Sequence, residues 1–197
     1  IEHYEIIFMA VFVILVILLV LYIVHENYRR DQELMKYAQT DALTGLYNKE
    51  TTKLRTDEIL STDKDMIHAF LILDMDCFKQ INDGYGHAVG DIVLQKFGQL
   101  LRDIFREDDI VGRIGGDEFV VVMKNIKMKE MAIAKAEELL TKTQQYEIKE
   151  LNGSAISISI GIAMAPEDGE CYMDLYKRAD QALYQAKRSG KARVCGY

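Results

Sequence analysis

Two short acidic segments have the residue types and positions of a divalent-cation site. Asp74 and Asp76 directly follow an apolar run at residues 69–73, and Asp117 and Glu118 follow a pair of glycines. Acids at strand ends are well placed to face a ligand cleft, and carboxylate oxygens suit Mg²⁺ that bridges substrate phosphates. Solvated loop acids give the same pattern, so these residues alone leave both interpretations open.

Apolar runs predict the strands that would position these acids. Residues 69–73 form a continuous apolar run, which is typical of a central strand covered on both faces. Residues 119–123 form a second run behind the Gly-Gly pair, which suits a tight hairpin. At residues 156–162 isoleucine alternates with serine and glycine, which predicts a strand with one buried face.

Apolar residues at helical spacing predict helices between these strands. The helices cover residues 87–106, 128–145 and 175–186, and Gly190 is a suitable cap after the last of them. This alternation predicts a mixed α/β domain with one sheet over residues 41–197.

The N-terminal segment predicts a membrane anchor. Ile6–Val24 contains nineteen consecutive apolar residues. As a helix this run would be about 28 Å long, close to the hydrocarbon thickness of a bilayer. A signal peptide is the alternative, but residues 25–28 offer no small-residue cleavage site. Arg29 and Arg30 favour a cytoplasmic C-terminal side. We therefore expect an extracytoplasmic stub at residues 1–5 and one transmembrane helix at residues 6–24.

The polar segment at residues 25–40 predicts a helical stalk. It contains no Gly or Pro. Its apolar residues form a loose stripe: Tyr28, Leu34, Met35, Tyr37 and Ala38. Two such stalks could pair as a short parallel coiled coil, and a solvated spacer helix explains the pattern equally well.

The charge balance argues against a nucleic-acid-binding protein. The chain has 24 Lys and Arg against 31 Asp and Glu, whereas such proteins usually carry a basic excess. The three cysteines are far apart and lack metal-site spacing, which indicates reduced thiols of a cytoplasmic domain.

The segment Gly115–Phe119 reads Gly-Gly-Asp-Glu-Phe, and the chain resembles the GGDEF family of diguanylate cyclases. Further segments resemble the family's motifs in the family's order: Asp41–Asn48, Asp74–Lys79, Ile81–Asp83, Gly86-His87, Gly90-Asp91, Ser159–Gly161, Ala179-Asp180 and Tyr184–Lys187. The resemblance covers residues 41–197. It implies a palm-like nucleotidyl cyclase sheet flanked by helices.

The resemblance implies a nucleotidyltransferase that condenses two GTP into cyclic di-GMP and releases two pyrophosphates. It assigns two Mg²⁺ per active site, with Mn²⁺ as an alternative ion, to the Asp74 carboxylate, the Met75 carbonyl and the Asp117 carboxylate. Glu118 is the implied general base or a further metal ligand. Such ions stabilise charge on the attacking and leaving oxygens, so the reaction needs no His or Cys nucleophile.

Asn82 and Asp91 match the guanine-binding pair of the family. A carboxylate accepts hydrogen bonds only, which suits the N1–H and N2–H donors of guanine. The alternative is that Asn82 caps a turn and Asp91 caps a helix.

Phe78 and Lys79 belong to the segment that cradles phosphate in the family, and Lys79 is also assigned to the catalytic set. Lys187 and Lys191 would offset the charge of the triphosphate. The chain departs from the family at Lys191, where Arg is common, and at Cys77, where an aromatic residue or His is common. Lys binds phosphate as a point charge, so we expect lower affinity for GTP without loss of turnover.

Arg106 and Asp109 match the family's product-inhibition motif in residue type and in their offset from the Gly-Gly pair. Arg can bond the O6 and N7 atoms of guanine, and Asp can accept from its N1–H and N2–H. The resemblance therefore implies feedback inhibition by cyclic di-GMP. A charged surface loop is the alternative.

The resemblance also implies a homodimer, because each subunit holds one GTP and two sites must face each other. Together with the apolar segment it predicts a single-pass protein of the bacterial inner membrane, with the catalytic domain in the cytoplasm and no nucleic-acid partner. The alternative function is a catalytically silent domain that binds GTP or cyclic di-GMP and regulates a partner.

Overall fold

The computed structural model describes residues 2–197, and for residues 2, 3, 5–7, 10, 11, 30–38 and 154 it describes the backbone alone. The chain divides into two compact units, one ending at Gln39 and one beginning at Thr40. The first unit is a single helix, and the second contains all the strands among the described residues.

Helix α1 (Glu2–Gln39) runs through both the expected span and the expected stalk. At 38 residues it is about 57 Å long. Its window Phe12–Arg29 is long and apolar enough to cross a membrane, with a mean hydropathy of 1.7 and none of it buried within the protein. The expected stalk stripe rests mainly on Leu34, Met35, Tyr37 and Ala38, whose side chains lie outside those described.

The second unit alternates helices and strands. Its elements in chain order are α2 (Lys49–Thr62), β1 (Ile67–Met75), α3 (Phe78–Tyr85), α4 (His87–Ile104), β2 (Ile110–Arg113), β3 (Glu118–Ile126), α5 (Lys129–Gln145), β4 (Glu147–Ile148), β5 (Ser154–Ala155), β6 (Ile158–Ala165), α6 (Tyr172–Arg188) and β7 (Val194–Gly196). The predicted mixed α/β fold is confirmed.

Five strands form the main sheet in the order β2-β3-β1-β6-β7. Strand β1 lies in the centre and pairs antiparallel with both β3 and β6. Strand β6 also pairs with the edge strand β7, and this pairing is parallel. Strands β4 and β5 form a separate two-stranded sheet. Because β1 and β3 are antiparallel, the C-terminal end of β1 meets the start of β3.

Side chains of β1 and β3 alternate between two cores. Leu71, Leu73 and Val121 pack on the side of α4 and α5, in the larger core. Ile72 and Val120 pack with residues of α2 and α6 on the opposite face. The predicted two-sided burial of residues 69–73 is confirmed, since each is at most 1% exposed.

Strand β6 differs from its prediction. It begins at Ile158 rather than Ile156, and all its residues are buried, including Ser159 on the face predicted to be exposed. That face is covered by α6, whose backbone approaches Gly161 closely. The small residues therefore mark a tight helix contact and not a solvent-facing surface.

Helix α6 ends in the hydrogen-bond pattern of a Schellman motif. Gly190 has a φ of 113°, and its N–H donates to the Lys187 carbonyl. The Lys191 N–H donates to the Ala186 carbonyl. The predicted cap at Gly190 is confirmed, and it directs the chain back towards the end of β1.

Candidate active site

Three acidic residues lie at the end of the sheet where β1 finishes and β3 begins. Asp74 of β1 is paired in register with Glu118 of β3, and Asp117 precedes Glu118 in the hairpin turn. The Met75 N–H donates to the Asp117 carbonyl over 3.3 Å, which fixes the turn to the central strand. Strand alternation places Asp74 and Glu118 on the α6 face, two residues from Ile72 and Val120.

Lys187 of α6 completes this acidic cluster. Its ammonium lies 2.7 Å from Oδ2 of Asp74, and Asp74 is only 8% exposed. Burial raises the pKa of the Asp74 carboxyl, and the negative charges of Asp117 and Asp76 add to that rise. The Lys187 ammonium acts in the opposite direction without cancelling it. The cluster therefore carries negative charge that one lysine does not fully compensate.

Glu118 shares this environment. Burial raises the pKa of its carboxyl above the ordinary value, and Asp74, Asp117 and Asp180 raise it further. A carboxylate held in this way is a stronger base than a solvated one. The geometry therefore suits a group that accepts a proton or binds a cation.

A cavity of about 600 Å³ opens beside Glu118 along α6. Its other lining residues all lie on α6: Asp180, Gln181, Leu183, Tyr184, Gln185, Lys187 and Arg188. Asp180 and Tyr184 lie in segments that resemble the family's motifs, but no role is predicted for either residue. Asp180 and Tyr184 lie about two turns and one turn before Lys187 on an amphipathic helix, and this spacing was the available signal.

The donor set fits a hard divalent cation that arrives with its substrate. Among the residues that the structure describes, no three acidic, His or Cys side chains form a ready metal-binding group. Mg²⁺ commonly binds one or two carboxylates together with substrate phosphates, and it does not require a complete protein cage. Asp74, Asp117 and Glu118 outnumber Lys187 in this cluster, and this excess of acidic groups favours binding of such an ion.

Asp76 has a different role from Asp74. Its carboxylate accepts hydrogen bonds from the hydroxyls of Ser157 and Ser159, at 2.6 and 2.8 Å. It also accepts from the Ala192 N–H at 3.1 Å. Asp76 therefore connects the end of β1 to β6 and to the segment after α6. Both of its carboxylate oxygens accept hydrogen bonds in this connection.

Asn82 and Asp91 lie on neighbouring helices. Asn82 is half-buried on α3, and Asp91 is exposed near the start of α4. A Cβ on Gly90 would lie 2.0 Å from Oδ1 of Asn82, so only a glycine lets the amide rest against α4 beside Asp91. This contact places Asn82 against the turn of α4 that carries Asp91.

The segment after β1 turns sharply beside the acidic cluster. Cys77 has a φ of 59° and precedes α3, in which Phe78 is half-buried and Lys79 is exposed. Lys191 reaches this segment, with its Nζ 3.2 Å from Sγ of Cys77. Lys79 and Lys191 therefore offer positive charge near the end of β1.

The predicted inhibitory pair forms a turn on another part of the surface. Asp109 is buried, and its carboxylate accepts the N–H groups of Arg106 and Lys124, each at 3.0 Å. The Arg106 side chain is exposed, and cavities of about 340 and 370 Å³ lie beside this turn. Asp109 thus holds its own loop in place while Arg106 faces solvent.

Comparison with known proteins gives one family. The family model described as "Diguanylate cyclase, GGDEF domain" matches residues 38–193. The chain is 37% identical over 168 residues to the diguanylate cyclase DgcS of Shewanella oneidensis, covering 84% of this chain and 55% of DgcS. It is 32% identical over 170 residues to the cyclic di-GMP phosphodiesterase PdeR of Escherichia coli, covering 86% of this chain and 26% of PdeR. The chain thus spans about half of one relative and a quarter of the other.

Solved structures share the fold. The coiled coil and GGDEF domain of DgcB from Caulobacter crescentus, solved in complex with c-di-GMP, matches with a TM-score of 0.81 and 25% identity. That match covers 88% of this chain and 93% of the DgcB chain.

Proposed function

The chain belongs to the GGDEF family of diguanylate cyclases, and on that basis we propose that it condenses two GTP into cyclic di-GMP with release of two pyrophosphates. The observation that carries this proposal is the position of Asp74, Asp117 and Glu118 where β1 ends and β3 begins, with Lys187 paired to Asp74. The family's Gly-Gly-Asp-Glu-Phe motif is intact at residues 115–119.

Glu118 is suited to accept the proton of the attacking 3′-hydroxyl. Its raised pKa makes it a better base than a solvated glutamate, because the proton transfer to it is more favourable. The 3′-oxygen of one GTP then forms a bond to the α-phosphorus of the other, and pyrophosphate leaves. The second condensation repeats the step with the roles of the two nucleotides exchanged.

Cyclases of this family generally depend on divalent metal ions. Asp74, the Met75 carbonyl, Asp117 and Glu118 would hold two Mg²⁺, and Mn²⁺ is an alternative. When bound, such ions lower the pKa of the attacking hydroxyl and stabilise the charge on the leaving oxygen.

The remaining cations would bind the triphosphate. Lys187 pairs with Asp74 in the free protein, and it is free to turn to a phosphate once a cation neutralises Asp74. Lys79, Lys191 and the backbone at Phe78 would bind the outer phosphates. Asn82 and Asp91 would select guanine, because Asp91 can accept from the N1–H that adenine lacks.

The whole protein would act as a membrane-anchored homodimer. Residues 6–24 would span the inner membrane with the cyclase domain in the cytoplasm, and the apolar exposed surface of α1 supports this arrangement. Each subunit would hold one GTP, so two sites must meet for the reaction. The DgcB structure combines a coiled coil with the same domain type, which supports pairing through the stalk.

The experiment that tests this function is incubation of the full chain in lipid nanodiscs with GTP and Mg²⁺, with the product identified by mass spectrometry. We expect cyclic di-GMP.

Asp117→Asn and Glu118→Gln should each lower kcat about 10²–10⁴-fold with the fold retained, because they remove a metal ligand and the base. The exposed Asp65→Asn is the matched control. Guanine-nucleotide binding without turnover by the wild type would instead establish the silent regulatory function.

We further propose that cyclic di-GMP inhibits the enzyme through Arg106 and Asp109. Arg106 is exposed and lies outside the metal cluster, so Arg106→Ala should keep the initial rate and lose the inhibition by added product. The exposed Lys127→Ala is the matched control. Equal inhibition of wild type and Arg106→Ala would contradict this assignment.

A further inference from the structure

One arginine side chain bonds the Gly-Gly turn that carries Asp117. Arg113 is the last residue of β2, and its Nε and Nη2 donate to the Gly116 carbonyl at 3.2 and 2.8 Å. That carbonyl belongs to the peptide group that leads directly into Asp117. Gly116 is exposed and no atom lies within 4 Å of its Cβ position, so no packing of its own fixes this peptide.

The same guanidinium is fixed from the other side by Asp41. Nη1 of Arg113 lies 3.1 and 3.3 Å from the two carboxylate oxygens of Asp41. The side chains of Arg113 and Asp41 are 13% and 24% exposed, so the pair is partly shielded from water. All three polar nitrogens of the guanidinium therefore have partners, and its plane is set by two separate segments.

Asp41 is itself held in one position. Its Oδ1 accepts both the N–H and the hydroxyl of Thr44, at 2.8 and 2.7 Å. Burial by itself would raise the pKa of Asp41, but the hydrogen bonds from Thr44 and Arg113 outweigh it and leave the pKa below the ordinary value. The folded protein therefore favours the carboxylate form of Asp41.

We propose that Arg113 and Asp41 are positioning residues that orient the Gly116–Asp117 peptide for cation binding. This inference rests on the proposed function, because it concerns the same metal-binding turn. Neither side chain is assigned to the substrate or the reacting atoms. They act through the backbone that presents Asp117, and the fork of an arginine is needed because one group must bond Gly116 and Asp41 at the same time.

The test compares two conservative arginine variants. Arg113→Lys keeps the charge but cannot bond both partners with a planar fork. Arg102→Lys is the matched control, because Arg102 also donates to a backbone carbonyl, that of Thr44 at 2.9 Å, without contacting the Gly-Gly turn. The readout is Mn²⁺ affinity, measured by electron paramagnetic resonance on the full chain with guanosine 5′-[(α,β)-methyleno]triphosphate, together with kcat and KM.

Arg113→Lys should weaken Mn²⁺ binding about 10–100-fold, the usual loss when a group that orients a metal ligand is removed. It should lower kcat comparably and leave KM for GTP nearly unchanged, whereas Arg102→Lys should leave Mn²⁺ affinity unchanged.

Asp41→Asn should shift Mn²⁺ affinity in the same direction, and it keeps the test usable if Arg113→Lys does not fold. Unchanged Mn²⁺ affinity in the folded variants would contradict the proposal. An equal loss of affinity in Arg102→Lys would do the same, because Arg113 and Asp41 would then have a structural role only. Since Mn²⁺ binding is read without turnover, this result stands apart from failure of the cyclase proposal.

Discussion

At the scale of single residues, burial of the acidic cluster opposes the ionisation of Asp74 and Glu118. Asp74 and Glu118 both have raised pKa values, chiefly through burial, and Lys187 only partly offsets the charge. The fold therefore favours the neutral form of each group. Such a conflict between stability and local charge is typical of sites built for a ligand.

This conflict predicts that Glu118→Gln raises the melting temperature in the absence of Mg²⁺. A carboxyl whose folded pKa is raised contributes stability that is present below its unfolded pKa and lost as the pH rises through the folded pKa. Gln cannot ionise, so Glu118→Gln should be more stable than the wild type at neutral pH. This difference in stability should disappear below the ordinary glutamate pKa of 4.5. Thermal unfolding across this pH range, without metal, is the measurement.

The exposed Glu137→Gln provides the comparison for that measurement. At every pH its free energy of unfolding should stay within a few tenths of a kcal/mol of the wild-type value, as expected of a surface substitution. Mg²⁺ with nucleotide should stabilise the wild type more than Glu118→Gln. A Glu118→Gln variant less stable than wild type at neutral pH without metal would contradict the account of the cluster.

The sequence could predict the residue types of the site but not all of their partners. The acids and Lys187 were identified through the family motifs. The role of Asp76 was not, because its carboxylate bonds Ser157, Ser159 and Ala192, which lie 81, 83 and 116 residues away. No local pattern reports contacts at that separation, and the same holds for Arg113 with Asp41.

At the scale of elements, α6 is the support for the cluster, and Gly161 determines how closely it packs. A Cβ at Gly161 would lie 2.1 Å from the Ala179 carbonyl oxygen and 2.4 Å from the Leu183 nitrogen. Both are backbone atoms, so a side chain at Gly161 would have to push α6 away from β6. Lys187 would move with the helix.

Gly161→Ala should therefore destabilise the domain by about 1–3 kcal/mol, the usual cost of overpacking a core. Chemical denaturation of the cyclase domain measures this free energy of unfolding. Gly84→Ala is the control, because Gly84 lies on α3 with nothing within 4 Å of its Cβ position. Its effect should be neutral or stabilising, since alanine favours a helix. Equal stability of both variants would show that α6 has room to adjust.

Element prediction succeeded where burial follows apolar spacing and failed where it does not. Helix α2 was not predicted, because its buried residues are Thr51, Thr52, Thr56 and Leu60, with only one strongly apolar side chain. The hydroxyls of Thr52 and Thr56 bond backbone carbonyls one turn earlier, at 2.7 Å each, which makes their burial tolerable. Hydrophobic periodicity cannot detect such a face.

At the scale of the whole molecule, catalysis by two half-sites predicts a dependence on protein concentration. A chain beginning at Thr40, without α1, should show specific activity that rises with concentration. Below the dissociation constant of the dimer, tenfold dilution should lower specific activity about tenfold, because the fraction of dimer falls in proportion. Initial rates across a dilution series provide the measurement.

Replacement of α1 by an unrelated dimerising coiled coil should abolish this dependence. A monomeric helix of similar length is the control, and it should leave the dependence in place. Specific activity that stays constant through the dilution range in which monomers form would contradict catalysis by paired sites.

The central position of β1 has a consequence for how the site exchanges with solvent. Residues 69–73 are almost fully buried and bonded on both sides, so their amides should exchange for deuterium only through unfolding of the entire domain. The Gly-Gly turn and the segment around Lys191 are partly exposed and can open in brief local fluctuations. Asp74 should thus lie in the slowest-exchanging strand, while Lys191, which would contact the phosphates, lies in a more exposed segment. Departure of a product can then proceed through local opening without loosening the strand that carries the first carboxylate.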